Sequence, residues 1–311
     1  MLIFNTLEEI KDIESSVIAF GNFDGIHLGH QEIIKKSVKS AGVSNLKSSV
    51  FTFSNHPKNL IKGGMSVKNI LYPEEKAEII ESLGVDYLFN IPFDEAMMNM
   101  DPMNFIDDLL VDKLKMKEAY CGFNFRFGHK GKGNPQSLLK EGERCGFGLH
   151  VLQPYKVDGY VVSSSLIRDL IAAGKVDQCS KYLGRNYSIG GEVQVGNKIG
   201  RTIGFPTSNI IVDETMVTPS NGVYVTICIY NDVRYPSITN AGVKPTIGKY
   251  EKNVETHIFH FDKELYGKNI KVEFLQKIRD EIKFKDVETL KEQIIKDCLL
   301  AKDYHILNGL L

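Results

Sequence analysis

Short apolar runs alternate with amphipathic stretches through the first half of the chain. SVIAF (16–20) reads as a buried strand, HQEIIKKSVKSAG (30–42) as an amphipathic helix closed by glycine, and SSVFTF (48–53) as a second strand. PEEKAEIIESLG (73–84) opens on proline and closes on glycine, which are helix start and stop signals. DYLFN follows as a strand. DPMNFIDDLLVDKL (101–114) then reads as one helix, with Asp101 as N-cap and Pro102 in the first turn. AYCGF, PQSLLKEGERCG and LHVLQPY continue the alternation as strand, helix and strand. This order predicts an α/β domain, a doubly wound parallel sheet with helices on both faces. Such sheets bind ligands outside the carboxyl ends of their strands, so the loop after the first strand is the first place to look for chemistry.

Beyond residue 185 the period shortens. YSIGGEVQV, GVYVTICIY, VRYPSITN, VETHIFHF and NIKVEFLQKI show two-residue alternation or enrichment in Val, Ile, Tyr and Thr, separated by Gly, Asn, Asp and Pro. That pattern predicts a small antiparallel barrel or sandwich. A long helix from about Asp286 closes the chain, with Leu290, Ile294, Ile295, Cys298 and Leu299 as its apolar stripe. The expected division is therefore residues 1–184 and 185–311, with the helix VDQCSKYLG leading into the boundary.

Composition narrows the function classes. The 311 residues are 42% hydrophobic and 25% charged, ordinary for a globular chain with real cores. Thirty-eight Lys and Arg nearly cancel 39 Asp and Glu, and neither half holds a basic block, which argues against a nucleic-acid partner. The five cysteines form no Cys-x-x-Cys pair, so neither a disulfide framework nor a zinc site is indicated. No apolar run approaches a membrane span, and the first residues turn acidic where a secretory signal needs an apolar run. The expectation is a soluble cytoplasmic protein with no membrane partner, acting as a monomer or weak oligomer.

The first loop reads Gly21-Asn22-Phe23-Asp24-Gly25-Ile26-His27-Leu28-Gly29-His30 and runs into a helix. Two histidines three apart at a helix start lie on one side of it. Gly29 leaves room for close approach to the backbone, and the free N–H groups and positive dipole end suit an anion. A zinc site would need a third ligand, which no nearby cluster supplies. The string resembles the HxGH signature of the nucleotidylyltransferase superfamily, which moves a nucleotidyl group from ATP and releases pyrophosphate. Phe53-Ser54-Asn55-His56-Pro57, Gly122-Phe123-Asn124-Phe125-Arg126-Phe127-Gly128 and Ser163-Ser164-Ser165-Leu166-Ile167-Arg168 resemble further motifs of one branch of it. That branch is the adenylyltransferase half of bacterial bifunctional riboflavin kinase/FAD synthetase. The serines with Arg168 suit a second phosphate grip, although a serine triplet alone is most often a helix cap.

The second half carries Gly196-Asn197-Lys198-Ile199-Gly200-Arg201-Thr202. The spacing of its glycines and Arg201 in place of lysine exclude a Walker A loop. It is read instead as a phosphate-covering loop ahead of Phe205-Pro206-Thr207-Ser208-Asn209. The hydroxyl of Thr207 and the carbonyl of Asn209 are hard oxygen ligands suited to Mg²⁺. Glu255, in Val254-Glu255-Thr256-His257, lies in a strand pattern whose neighbours face the other way. GFPTSN, Asn240–Thr246 (NAGVKPT) and VETHIFHF resemble the riboflavin kinase module. The resemblance implies a six-stranded Greek-key barrel with a terminal helix. It also implies Thr207 and Asn209 on Mg-ATP, and Glu255 activating the riboflavin 5′-hydroxyl. Departures from the family pattern are Asn55 in place of Pro, Ser208 in place of Ala and His260 in place of Asp.

Together these readings predict two reactions: phosphorylation of riboflavin to FMN in the second half, and adenylylation of FMN to FAD in the first. His27, His30 and Glu255 would be the catalytic groups. Gly21, Asn22, Phe23, Asp24, Gly25, Gly29, Asn124, Arg126, Ser163, Ser164, Ser165 and Arg168 would bind nucleotide or flavin in one site. Lys198, Gly200, Arg201, Pro206, Thr207 and Asn209 would do so in the other. Two rival readings are one active half beside a regulatory flavin-binding module, and a barrel that binds nucleic acid through its tyrosines.

Overall fold

A computed structural model describes residues 1–195, 204–246 and 249–311. The chain divides into two compact units, Met1–Ser164 and Ser165–Leu311.

The first unit is a six-stranded parallel sheet. Its strands are β1 (Leu2–Phe4), β2 (Ser16–Phe20), β3 (Lys47–Phe53), β4 (Tyr87–Ile91), β5 (Met116–Gly122) and β6 (Gly148–Leu152), in the order β1-β4-β3-β2-β5-β6. The helices between them are α1 (Leu28–Ser44), α2 (Pro57–Ile61), α3 (Pro73–Ser82), α4 (Glu95–Asn99), α5 (Pro102–Asn104) and α6 (Pro135–Cys145). Both faces of the sheet are covered, as β2 makes plain. Val17 and Ala19 point into a core with Ile33 and Ile34 of α1 and Ile80 of α3, while Ile18 and Phe20 point into another with Leu110 and Leu138. Strand order reverses at β2, which pairs in parallel with β3 on one side and β5 on the other. That reversal is the crevice where open α/β sheets take ligands. It sets the loop after β2 beside the loop after β5. A two-stranded hairpin, β7 (Lys156–Val157) and β8 (Tyr160–Val161), follows the sheet.

One expected element takes a different form. The stretch read as a single helix from Asp101 begins with α5 but continues as a nine-residue π segment, Phe105–Lys113. Phe105, Ile106, Leu109 and Leu110 are all buried. The wider π turn keeps these four on the core face, a register that 3.6-residue spacing does not reveal.

The second unit is a closed antiparallel barrel. Two helices, α7 (Ser164–Ala172) and α8 (Val176–Leu183), lead into β9 (Tyr187–Gln194), β10 (Ser208–Ile211), β11 (Gly222–Tyr230), β12 (Val233–Thr246), β13 (Lys249–Ile258) and β14 (Asn269–Arg279). The barrel order is β10-β13-β12-β11-β14-β9. Strands β11 to β13 form a meander and β14 returns beside β11, which is the Greek-key connection. By compactness the units divide between Ser164 and Ser165, at the first residue of α7. Within the second unit α8 packs beside β9 and β14, and Gly174 lies against Ser220 and Tyr224. A chain of fully buried hydroxyls runs across the strands, with Thr226 to Ser237 at 2.8 Å, Thr226 to Thr239 at 2.7 Å and Thr239 to Thr256 at 2.9 Å.

The terminal helix, α9 (Val287–Leu307), starts at its N-cap Asp286 as expected. Cys298 and Ala301 pack on Val223, Val225 and Ile238. Arg279, at the end of β14, holds Asp297 of α9 through two nitrogens, Nε at 3.0 Å and Nη2 at 2.7 Å, and Gln293 adds a bond of 2.8 Å. Asp297 is buried and Arg279 nearly so. Asp297→Ala is therefore expected to lower the stability of this unit by about 3 kcal/mol, because it leaves a shielded guanidinium without its counter-charge. Urea unfolding followed by circular dichroism measures this, and a change under about 1 kcal/mol would show that the pair contributes little.

Candidate active sites

In the first unit the chain leaves β2 at Phe20 and folds back on itself before α1. Phe23 and Ile26 are fully buried, yet both sit in the left-handed region, at φ 46° and 34°. Such strain in bulky residues persists only where the surroundings over-determine it, typically at ligand sites. Gly25 (φ 83°) lies so close to Ile70 that an added Cβ would stand 2.9 Å from its Cδ1. Among the bonds that fix the loop, Thr52 Oγ1 donates to the Asn22 carbonyl at 3.0 Å, Ile70 N to Asp24 Oδ1 at 2.8 Å, and Ser164 Oγ to the Asp24 carbonyl at 2.8 Å.

His27 is the N-cap of α1, and its Nδ1 accepts from the His30 backbone N–H at 3.2 Å. The two imidazoles stack with centroids 3.6 Å apart, and Phe23 meets His30 edge-on at 5.2 Å. A Cβ on Gly29 would stand 3.3 Å from the His27 ring and 3.2 Å from Tyr155, so the glycine is what lets that ring lie against the helix start. The result is a pair of imidazoles at a positive helix end, suited to an anionic group.

The loop after β5 works by alternation. Phe125 and Phe127 turn into the core, Phe125 lying 5.4 Å from Phe20, and so Asn124 and Arg126 are exposed. Of the serine motif, Ser164 reaches the Asp24 carbonyl, as above. Ser163 is half-buried, while Ser165 and Arg168 belong to the second unit, one turn apart on α7. His56 caps α2, accepting from Lys58 N at 3.2 Å. Asn55 pairs both ways with the Phe93 backbone, at 3.0 and 2.7 Å, which gives that departure from the family pattern a structural role.

In the barrel, Asn240, Glu255 and Asn209 stand in register across β12, β13 and β10. Asn253 shares the face of Glu255, two residues earlier on the same strand. Its Nδ2 donates to Glu255 Oε1 at 2.8 Å and to Asn209 Oδ1 at 3.3 Å. The sequence motifs give neither Asn253 nor Asn240 a role, though the two-residue period of β13 already puts Asn253 beside Glu255. His257, next along that face, bonds the Pro206 carbonyl at 2.8 Å, which ties the segment before Thr207 to β13. Burial lowers its pKa; the Pro206 bond opposes this and Lys302 adds to it. The neutral ring thus carries its proton on Nδ1 to donate to that carbonyl.

Pro206 and Thr207 line an open pocket together with Ser208, Thr256, Phe261 and Tyr266. The residues expected to hold Mg²⁺ fit it by donor type. Thr207 offers a hydroxyl and Asn209 a carboxamide, and Asn253 Oδ1 is a buried oxygen with no hydrogen bond among the described residues. Lys198, Gly200 and Arg201 lie outside the described residues. His260 has φ 55° at the turn that ends β13, a conformation that Asp, Asn and His tolerate better than most residues, so it fits where Asp is usual.

A family model described as FAD synthetase matches residues 9–166, and one described as riboflavin kinase matches residues 183–305. The bifunctional riboflavin kinase/FMN adenylyltransferase of Bacillus subtilis (strain 168) is 36% identical over 91% of this chain and 90% of its own length. The chain belongs to the bifunctional riboflavin kinase/FMN adenylyltransferase family. Proteins of the same name from Haemophilus influenzae (34% identical, covering 94% of this chain and 95% of theirs) and Escherichia coli K12 (32%, 94% and 93%) are similar throughout. A solved structure from Streptococcus pneumoniae, described as a macrolide-efflux protein, superposes with a TM-score of 0.88 at 28% identity, over 97% of this chain and 98% of that one. Among the described residues no helix is long and apolar enough to cross a membrane. With a nucleotidyltransferase domain followed by a kinase domain, the chain is a transferase twice over. ATP, riboflavin, FMN and FAD are its substrates and products.

Proposed function

We propose that the two chemistries are divided between the two sites described above, with the functional halves meeting near residue 184, in a cytoplasmic enzyme. The observation that carries the kinase assignment is the Asn209–Asn253–Glu255 cluster. It presents a carboxylate, oriented by an amide, beside oxygen donors suited to a magnesium nucleotide. Glu255 accepts the proton of the riboflavin 5′-hydroxyl as that oxygen attacks the γ-phosphate of ATP, and FMN and ADP leave. Mg²⁺, held with Thr207 and Asn209, would neutralise charge on the phosphate oxygens. His257, by anchoring the Pro206 carbonyl, keeps the Thr207 segment against the strand that carries Glu255.

In the first unit the FMN phosphate attacks the α-phosphate of ATP, forming the new P–O bond of FAD and releasing pyrophosphate. The attacking oxygen is already anionic, so no strong base is needed. His27, His30 and the N–H groups of α1 stabilise charge that builds on the α-phosphate oxygens. Asn124 and Arg126, exposed on the neighbouring loop, are placed to bind substrate.

Incubating the protein with riboflavin, ATP and Mg²⁺, beside a tube with FMN in place of riboflavin, tests the whole reading by chromatography. FAD in both tubes, with FMN appearing in the first, is expected. FMN alone in the first and nothing new in the second would confine activity to the barrel. FAD only from FMN would leave the barrel a binding module.

A further inference from the structure

Beside the GNFDG loop, between β3, β4 and α3, lies an open pocket lined by Asn22, Asp24, Phe53, His56, Asn90 and Lys76, among others. Lys76, on the second turn of α3, belongs to no motif. Its Nζ donates to Thr52 Oγ1 at 2.7 Å and to the Phe53 carbonyl at 3.0 Å. Thr52 in turn donates to the carbonyl of Asn22. The Asn22 carbonyl can only accept, so the hydroxyl proton lies on that bond, and Lys76 donates to the hydroxyl's lone pair. The ammonium therefore holds in place the Thr52 hydroxyl that fixes the catalytic loop to the sheet.

We propose that Lys76 is a positioning residue of the adenylyl-transfer site, acting through Thr52 and Asn22 to hold the GNFDG loop, and with it the start of α1, in register with the transferring nucleotide. The inference rests on the assignment of adenylyl transfer to this unit. It goes beyond that assignment in naming a cation, distant in sequence from every motif, as part of the machinery.

The electrostatics make the idea testable. Burial lowers the pKa of Lys76 to about 8, against the opposing pull of Asp24. Asp24, from the loop, and His56, from the cap of α2, are the other titratable groups lining the pocket among the described residues, and Glu75 adjoins Lys76 on its own helix. The alkaline limb under test is loss of the Lys76 proton. A neutral amine donates to Thr52 less strongly, and adenylyl transfer falls as pH rises through about 8. The contribution of this group to stability moves in the opposite direction. Its folded pKa lies below its unfolded value, so the unfolded state holds more protons between about 8 and 10.5, and stability rises there. A residue that only held the fold together would not show the two trends opposed.

The test compares wild type with Lys76→Met, a neutral side chain of similar length, in FAD formation from FMN between pH 6.5 and 9.5. FMN formation from riboflavin by the same samples serves as the control for folding. A fall of about tenfold or more in FAD formation at pH 7, unchanged kinase activity and loss of the alkaline limb near pH 8 are expected. Wild-type FAD formation in Lys76→Met, or an alkaline limb that survives in it, would overturn the proposal. Hydrogen exchange of residues 21–26 gives a readout independent of turnover and is expected to quicken in both Lys76→Met and Thr52→Val. Unchanged exchange in both would overturn the tether. Absence of FAD formation in wild type with exchange altered as expected would count against the assigned reaction and not against the tether.

Discussion

Glu255→Gln is expected to cut riboflavin phosphorylation by about 10²–10⁴-fold while leaving FAD formation from supplied FMN intact. The amide is nearly isosteric, and its Oε1 can still accept from Asn253 Nδ2, which reaches the carboxylate at 2.8 Å in the wild type. Packing on β13 is kept, since Val254 and Thr256 face the other way and are buried. What disappears is the group able to take the proton of the attacking hydroxyl. At about 10³-fold the loss would be about 4 kcal/mol of transition-state stabilisation. Chromatography of both products from one preparation measures it. If Glu255→Gln phosphorylates riboflavin within a few fold of wild type, the base lies elsewhere and the cluster at Asn209 serves only to bind nucleotide. Asn253→Ala is a milder companion. It should slow phosphorylation less than Glu255→Gln, because the carboxylate remains but loses the amide that orients it.

How far the chain betrays this arrangement depends on the range of the forces involved. The elements of the parallel sheet are legible because their periods are local. SVIAF is β2 residue for residue, and the Pro73 start and Asp286 cap fall where the helices begin. β10 is not legible. PTSN reads as turn residues, yet Ser208–Ile211 is a strand, held between β9 and β13 by pairing that only the closed barrel supplies. β13 also begins earlier than its apolar pattern does, at Lys249, for the same reason. The histidines, Thr207, Asn209 and Glu255 stand out through motifs. Asn253 and Lys76 do not, because each gains its meaning from a partner on another strand or in another loop, and Asn240, though it opens the NAGVKPT motif, shows its place beside Glu255 only through the register of β12 and β13. The Lys76 bond to Thr52 spans 24 residues of sequence and the Asn253 bond to Asn209 spans 44.

His30→Ala is expected to reduce FAD synthesis by about 10²–10³-fold and to spare FMN synthesis, and the geometry makes His30 the more informative of the two histidines. His27 has a second duty as N-cap of α1. Its removal would cost about 1 kcal/mol of helix stability as well as any catalytic role, so a loss of activity in His27→Ala has two explanations. The cap bond uses the backbone N–H of His30, not its side chain. His30→Ala therefore keeps the cap and α1 while removing an imidazole that stacks on His27 and meets Phe23 edge-on. Alanine is also a better helix former than histidine, so the substitution gives the helix no reason to fray. The kinase reaction in the same tube reports whether the preparation is folded and active. Equal loss of both activities would contradict the division of chemistry between two sites. Full FAD synthesis would mean that the helix N-terminus and His27 carry the charge stabilisation without His30. Loss confined to FAD synthesis, with an unchanged unfolding curve, is the result that assigns His30 to the transferring phosphate rather than to the fold.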